Sequence, residues 1–187
     1  YLPHFLSWII LAGIMIDLLS PNGGLVNRFL GLFGAEPIFF LGSNKWFRFT
    51  LVFTDVWKEF GFGTIVYLAA ITNIDPTQYE AATIDGANRF QRIMHVTLPN
   101  MRMIIVLMMV LSLGNVLNAG FDQVYNMYSE AVYPTGDILD TFIYRLNFKN
   151  GLWGQSAAVS MFKSVVSTLF ISVSYLCAYK FADYRVF

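Results

Sequence analysis

The four longest stretches of this chain without an acidic, lysine or arginine side chain are 1–16, 60–74, 103–121 and 164–179. Uninterrupted apolar runs of this kind suit a bilayer, whose hydrocarbon core of about 30 Å takes roughly 20 helical residues to cross. Whatever lies between the runs must then sit at a membrane face, inside protein or beside water. Only 13% of residues are charged and 56% are hydrophobic, whereas soluble domains are roughly one quarter charged. The formal net charge is zero, so there is no basic field for nucleic acid. The single Cys177 excludes an internal disulfide framework or a cysteine-based metal site, and in its apolar run it reads as a packing residue. Residue 1 is Tyr and no charged segment precedes the first apolar run. That run is therefore not read as a signal peptide, and the chain is expected to begin partway through a longer protein.

Four spanning helices are predicted, over about 2–20, 47–74, 99–121 and 156–180, making an all-α, polytopic helical bundle. The first has Pro3 in its opening turn and stops at Ser20-Pro21-Asn22-Gly23-Gly24. Leu25 to Phe33 is too short to span and is expected to lie along the interface. The second span is anchored by Trp46 and Arg48, and its first half carries Asp55, Lys58 and Glu59. Lipid penalises those charges, so they are expected to face protein, water or the interface. Gly61 and Gly63 are expected to admit a neighbouring helix.

The longest polar island runs from Glu80 to Pro99, and its chemistry is that of helix ends. Asp75-Pro76-Thr77-Gln78 reads as a helix start, with Asp75 as cap, Pro76 at the first position and Gln78 completing a capping box. Gly86 breaks that helix, and Asn88 with Gln91 repeats the spacing for a second one. Leu98-Pro99 is expected to end it, because proline disfavours helical backbone in the residue before it. In the third span Asn115 and Asn118 are three residues apart and Asp122 follows at the next turn, which would put all three on one helical face. Polar groups there mark either a pathway or hydrogen bonding between helices. Tyr125, Tyr128 and Trp153 suit stacking on a flat ligand face or anchoring at the interface. Basic residues divide evenly between the two membrane faces, so the charge rule does not orient the chain.

Glu80-Ala81-Ala82, Gly86 and Leu98-Pro99, at this spacing, resemble the cytoplasmic loop of the permease subunits of bacterial ABC importers that work with a solute-binding protein. Val96 stands where that pattern usually has Ile. Leu2-Pro3-His4-Phe5, Asp85-Gly86-Ala87, Phe121 to Asn126 and Asp140 to Arg145 are similar to the branch that imports sugars and oligosaccharides. The resemblance covers the whole chain and implies about six spans, two of them before Tyr1.

Several expectations follow from it. Glu80, Ala81, Ala82, Asp85, Gly86, Arg89, Leu98 and Pro99 would form the element that couples to a separate ATPase, with Arg92 on the same partner or on lipid phosphates. Asn115, Asn118, Asp122, Gln123 and Tyr125 would line the substrate path. ATP and Mg would bind the ATPase rather than this chain, because no G-x-x-x-x-G-K-[ST] cradle is present. No H-E-x-x-H or G-x-S-x-G occurs, and His4 and His95 are too far apart in sequence to suggest a shared metal site. Partners would be a second permease subunit in a heterodimer, two ATPase subunits, an extracytoplasmic solute-binding protein and membrane lipid. The place would be the bacterial cytoplasmic membrane, with the carboxyl terminus inside. A permease for peptides or amino acids, and a membrane scaffold, are the competing readings.

Overall fold

The structure, a computed structural model, describes residues 1–182. Asp183 and Arg185 of the expected cytoplasmic tail, and the side chain of Cys177, lie outside what is described. All regular structure among the described residues is helical. The helices are α1 (Trp8–Leu19), α2 (Leu25–Gly31), α3 (Phe47–Thr72), α4 (Pro76–Ile84), α5 (Arg89–Arg92), α6 (Leu98–Gly114), α7 (Phe121–Met127), α8 (Tyr133–Gly136), α9 (Leu139–Tyr144) and α10 (Trp153–Ala182). The chain divides into two compact units. One comprises Tyr1–Phe62 and Leu117–Lys163, the other Gly63–Val116 and the residues from Ser164 onward.

The first unit holds the tightest packing. Ala12, Leu41, Phe47, Met127 and Val132 form its buried core, with Trp8, Met15, Leu19 and Leu51 packed around them. Phe47 is fully buried because Gly136 has no side chain: a Cβ there would lie 2.1 Å from the Phe47 ring. The helix expected over 2–20 is in two pieces, a short 3₁₀ turn at Leu2–Phe5 and then α1, whose cap is Ser7. At 1.5 Å per residue α1 covers about 18 Å, less than the hydrocarbon core. Asn27 of α2 is buried and binds the loops on both sides. Its Nδ2 donates to the carbonyls of Leu19, Ser20 and Ile38, and its Oδ1 accepts from the Ile38 N–H at 2.8 Å.

Two of the charges of α3, Lys58 and Glu59, find protein partners. Lys58 is buried and donates to the His4 carbonyl (3.1 Å) and to Glu59 (2.8 Å), and it lies 5.5 Å from the centre of the Trp8 ring. Glu59 also pairs with His4 at 2.7 Å, and His4 stacks on Phe62. A lone buried ammonium would be costly, and this cluster supplies its counter-charge and acceptors. Gly61 admits not a helix but the backbone of Tyr1, 2.8 Å from where its Cβ would be, and Gly63 has nothing within 4 Å.

In the second unit, 89–114 forms one helical rod rather than a short helix closed at Leu98-Pro99. Between α5 and α6, residues Ile93–Thr97 take a π turn, in which the Leu98 N–H donates to the Ile93 carbonyl. The looser π winding accommodates Pro99, which has no N–H to give, and Leu98 keeps helical angles. His95, expected in a loop, lies in this turn. Arg89–Gly114 and Trp153–Leu176 are each long and apolar enough to cross a bilayer, and almost none of either apolar stretch is buried within the chain.

Candidate functional site

The polar island is a stapled hairpin. Asp75 caps α4 by accepting the Thr77 N–H at 2.9 Å, and Thr77's backbone and hydroxyl hold its carboxyl below the usual range. Pro76 opens the helix. Gly86 then turns the chain at φ +77°, a left-handed angle that side-chain-bearing residues resist. Asn88 caps α5 with a complete box: its side chain accepts the Gln91 N–H (2.9 Å), and Gln91 Oε1 accepts the Asn88 N–H (2.8 Å). The box expected at Asp75 does not form, because Gln78 Oε1 accepts from Asn100 Nδ2 at 2.8 Å instead.

That diversion is the first of three side-chain bonds joining α4 to the rod. Tyr79 and Thr97 hydroxyls share a bond of 2.9 Å, and Arg92 donates to Thr83 Oγ1 at 3.2 Å. α4 is thus tied to the rod along its length. Glu80, Ala81, Asp85, Arg89, Leu98 and Pro99 are exposed, and Ala82 is half-buried beside Gly86 in a cleft of about 260 Å³. The tip also presents Ile84, 87% exposed, and Phe90, 69% exposed. The sequence reading passed over both. Their signal was large apolar side chains within an otherwise polar segment, away from any buried face.

The residues expected on the substrate path separate. α6 ends at Gly114 and Asn115 is its cap, while Gly120 at φ +72° starts α7. Asn115, Asn118 and Asp122 therefore do not share a helical face. Asn118 and Gln123 line a cavity of about 480 Å³ in the first unit, together with Arg48 and Asp55 of α3 and with Thr135 and Asp137. Gln123 is buried and committed to α3, its Nε2 donating to the Leu51 carbonyl and to Thr54 Oγ1, each at 2.8 Å. Asn115 donates to the Leu111 carbonyl at 3.3 Å, and Asp122 is exposed. Tyr125 lies outside the cavity lining, in an aromatic ladder with Phe121 and Tyr144 that continues through Phe148 to Trp153.

Asp137, on the cavity wall, is neutralised by Arg145 through two bonds, at 2.9 and 2.5 Å, and accepts from Thr141 at 2.7 Å. Burial works against its ionisation, but the Arg145 and Thr141 hydrogen bonds and the Arg145 charge outweigh it, so its carboxyl is held below the usual range. Lys163 of α10 pairs with Asp140 at 2.5 Å, joining that helix to the same region.

A helical membrane protein with long, exposed apolar rods, a stapled polar hairpin and a polar cavity between helices has the parts of a membrane permease. Residues 1–186 match the model of the binding-protein-dependent transport system inner membrane component family, and the chain belongs to that family. It is 38% identical over 187 residues to the polygalacturonan/rhamnogalacturonan transport system permease protein YteP of Bacillus subtilis, matching the whole chain and 58% of that relative. The trehalose/maltose transport system permease protein MalF of Thermococcus litoralis is 32% identical over 151 residues, 80% of this chain and 50% of that one. A solved bacterial ABC transporter involved in importing the acidic polysaccharide alginate superposes with TM-score 0.94 at 38% identity, covering 97% of this chain and 63% of that one. The same transporter type has been solved with an alginate pentasaccharide-bound periplasmic protein, and the match there has TM-score 0.93. The chain thus spans about three fifths of the length of several of these proteins.

Proposed function

We propose that this chain is the core of a permease subunit of an ATP-driven importer, passing an oligosaccharide delivered by a solute-binding protein across the bacterial cytoplasmic membrane. The observation that carries the reading is the stapled hairpin, whose exposed tip is rigidly tied to a membrane-length rod. Glu80 and Arg89 are its charged contacts, Ala81 and Ala82 allow close approach, and Asp85-Gly86 makes the turn. Ile84 and Phe90 insert as apolar knobs into a groove on a separate ATPase, which holds ATP and Mg. Leu98 and Pro99 lie within the rod, directly after the π turn.

Two permease subunits and two ATPase subunits would complete the assembly. Drawing the two hairpins together on ATP binding would alternate the access of the path, a rigid-body transition. In this reading the hairpin is cytoplasmic, the carboxyl terminus lies on the same side after two further passes, and 21–46 and 121–155 face the binding protein. The cavity bearing Asp55, Asn118 and Gln123 is the portion of the path this chain supplies, with Asn115, Asp122 and Tyr125 at its approach. The cargoes for which the relatives are named support a saccharide over a peptide or amino acid, and they range from acidic polysaccharides to trehalose and maltose.

Reversing a charge at the hairpin tests the coupling. In the full-length complex reconstituted with its ATPase and binding protein, Glu80→Lys should cut sugar uptake per ATP hydrolysed by about tenfold. Unchanged uptake and unchanged stimulation of ATP hydrolysis would sink the coupling role. The scaffold reading predicts that no ATPase copurifies in mild detergent.

A further inference from the structure

We infer that Arg48 reads a carboxylate on the cargo, so that the cavity takes an acidic oligosaccharide, its carboxylate on Arg48 and its hydroxyls toward Asp55 and Asn118. This deepens the proposal above and rests on the cavity being part of the transport path.

Three observations carry it. First, Arg48 is a cation on the cavity wall without a carboxylate partner. Among the described residues none lies within ion-pair distance of it, whereas the Arg145 and Lys163 charges are spent on Asp137 and Asp140. Second, Arg48 is held in place from within the protein. Its Nε donates to the Thr135 carbonyl at 2.6 Å, and Thr135 is fixed in turn by donating to Asn44 Oδ1 at 2.7 Å. Asn44 itself donates to the Ala131 carbonyl at 3.0 Å. An arginine serving only as an interfacial anchor needs no such scaffold. With Nε engaged, the two remaining guanidinium nitrogens can form the forked pair that arginine makes with a carboxylate.

Third, the cavity has a charge direction. Asp137 on its wall is already neutralised, so it does not repel an anion. Arg48 and Asp55 lie on α3 seven residues apart, about 10.5 Å of helical rise, which is close to the length of two linked sugar rings. A disaccharide of one uronic acid and one neutral sugar carries what the two ends call for: an acceptor pair for Arg48 and, on the neutral ring, hydroxyl donors for the Asp55 carboxylate and the Asn118 amide. The cavity's volume of about 480 Å³ falls in the range of small-ligand sites.

The test compares wild type, Arg48→Gln and Arg48→Lys in the full-length complex reconstituted with its partner permease, ATPase and binding protein. Uptake is read for labelled galacturonosyl-rhamnose, which carries one carboxylate, and for its neutral methyl ester. The ratio of variant to wild type is taken within each probe, so that the binding protein's own preference cancels. Arg48→Gln should lower uptake of the acid by about tenfold or more, the worth of one hydrogen-bonded charge, and ester uptake by less than twofold. Arg48→Lys, which keeps the charge without the fork, should fall between. Equal loss for both probes, or loss for neither, would overturn the inference while leaving the importer reading intact. So would a wild-type complex that carries the ester and not the acid. A complex that carries no saccharide at all would overturn the importer reading itself.

Discussion

Removing the three bonds that tie α4 to its neighbouring rod should uncouple ATP hydrolysis from transport without unfolding the protein. The triple variant Gln78→Ala, Tyr79→Phe, Arg92→Ala deletes one side of each bond and leaves both helix caps in place. The Tyr79–Thr97 bond is half-buried, and net hydrogen-bond contributions run from roughly 0.5 to 1.5 kcal/mol, so about 1 kcal/mol is assigned to it. The two exposed bonds take the low end, about 0.5 kcal/mol each. The sum, about 2 kcal/mol, corresponds to a roughly 30-fold rise in the population with α4 detached. Amide hydrogen exchange in α4 reads this directly and should accelerate by a similar factor, while exchange within Leu98–Gly114 stays unchanged. ATP consumed per sugar imported should rise in parallel. Unaltered exchange in α4, or faster exchange with unaltered coupling, would refute the idea that the staples carry force from hairpin to rod.

Other parts of the molecule make similarly direct predictions. Asn27→Ala strips the buried bonds around α2 and leaves the Ile38 N–H without its acceptor, a loss of about 2–3 kcal/mol. Limited proteolysis should then cut first within 20–38, and wild-type resistance there would count against the clamp. Asp137 has a folded-state pKa below its unfolded value of about 3.9, so its contribution is fully present above that value and is lost as pH falls through the folded one. Melting temperature in detergent should therefore drop more steeply below about pH 4 for wild type than for Asp137→Asn. Parallel slopes would remove Asp137 as the source.

What could be read in the sequence was mostly what neighbouring residues decide among themselves. The Asn88 box, the Asp75 cap and the turn at Gly86 all form where the pattern put them, because each partner lies within three residues. Gln78 obeys a partner 22 residues away, Asn100, and no local pattern announces that choice. Pro99 misled in the same way. Its rule describes an ordinary α register, and the π turn at Ile93–Thr97 changes the register so that the rod continues through it. Asn115, Asn118 and Asp122 were spaced for a helical face, but α6 ends at Gly114 and a new helix begins after Gly120. The cavity was out of reach because it joins α3 to residues 118–138, and Arg48 within it looked like an interfacial anchor.

The hairpin tip tests the central claim most directly. Ile84, 87% exposed, tolerates a cysteine without loss of packing. In a background with Cys177 replaced, Ile84→Cys should crosslink to the ATPase subunit in native membranes with a short bifunctional reagent, and the yield should change when ATP is bound. Absence of any crosslink to an ATPase, in a complex that still imports its sugar, would contradict the account.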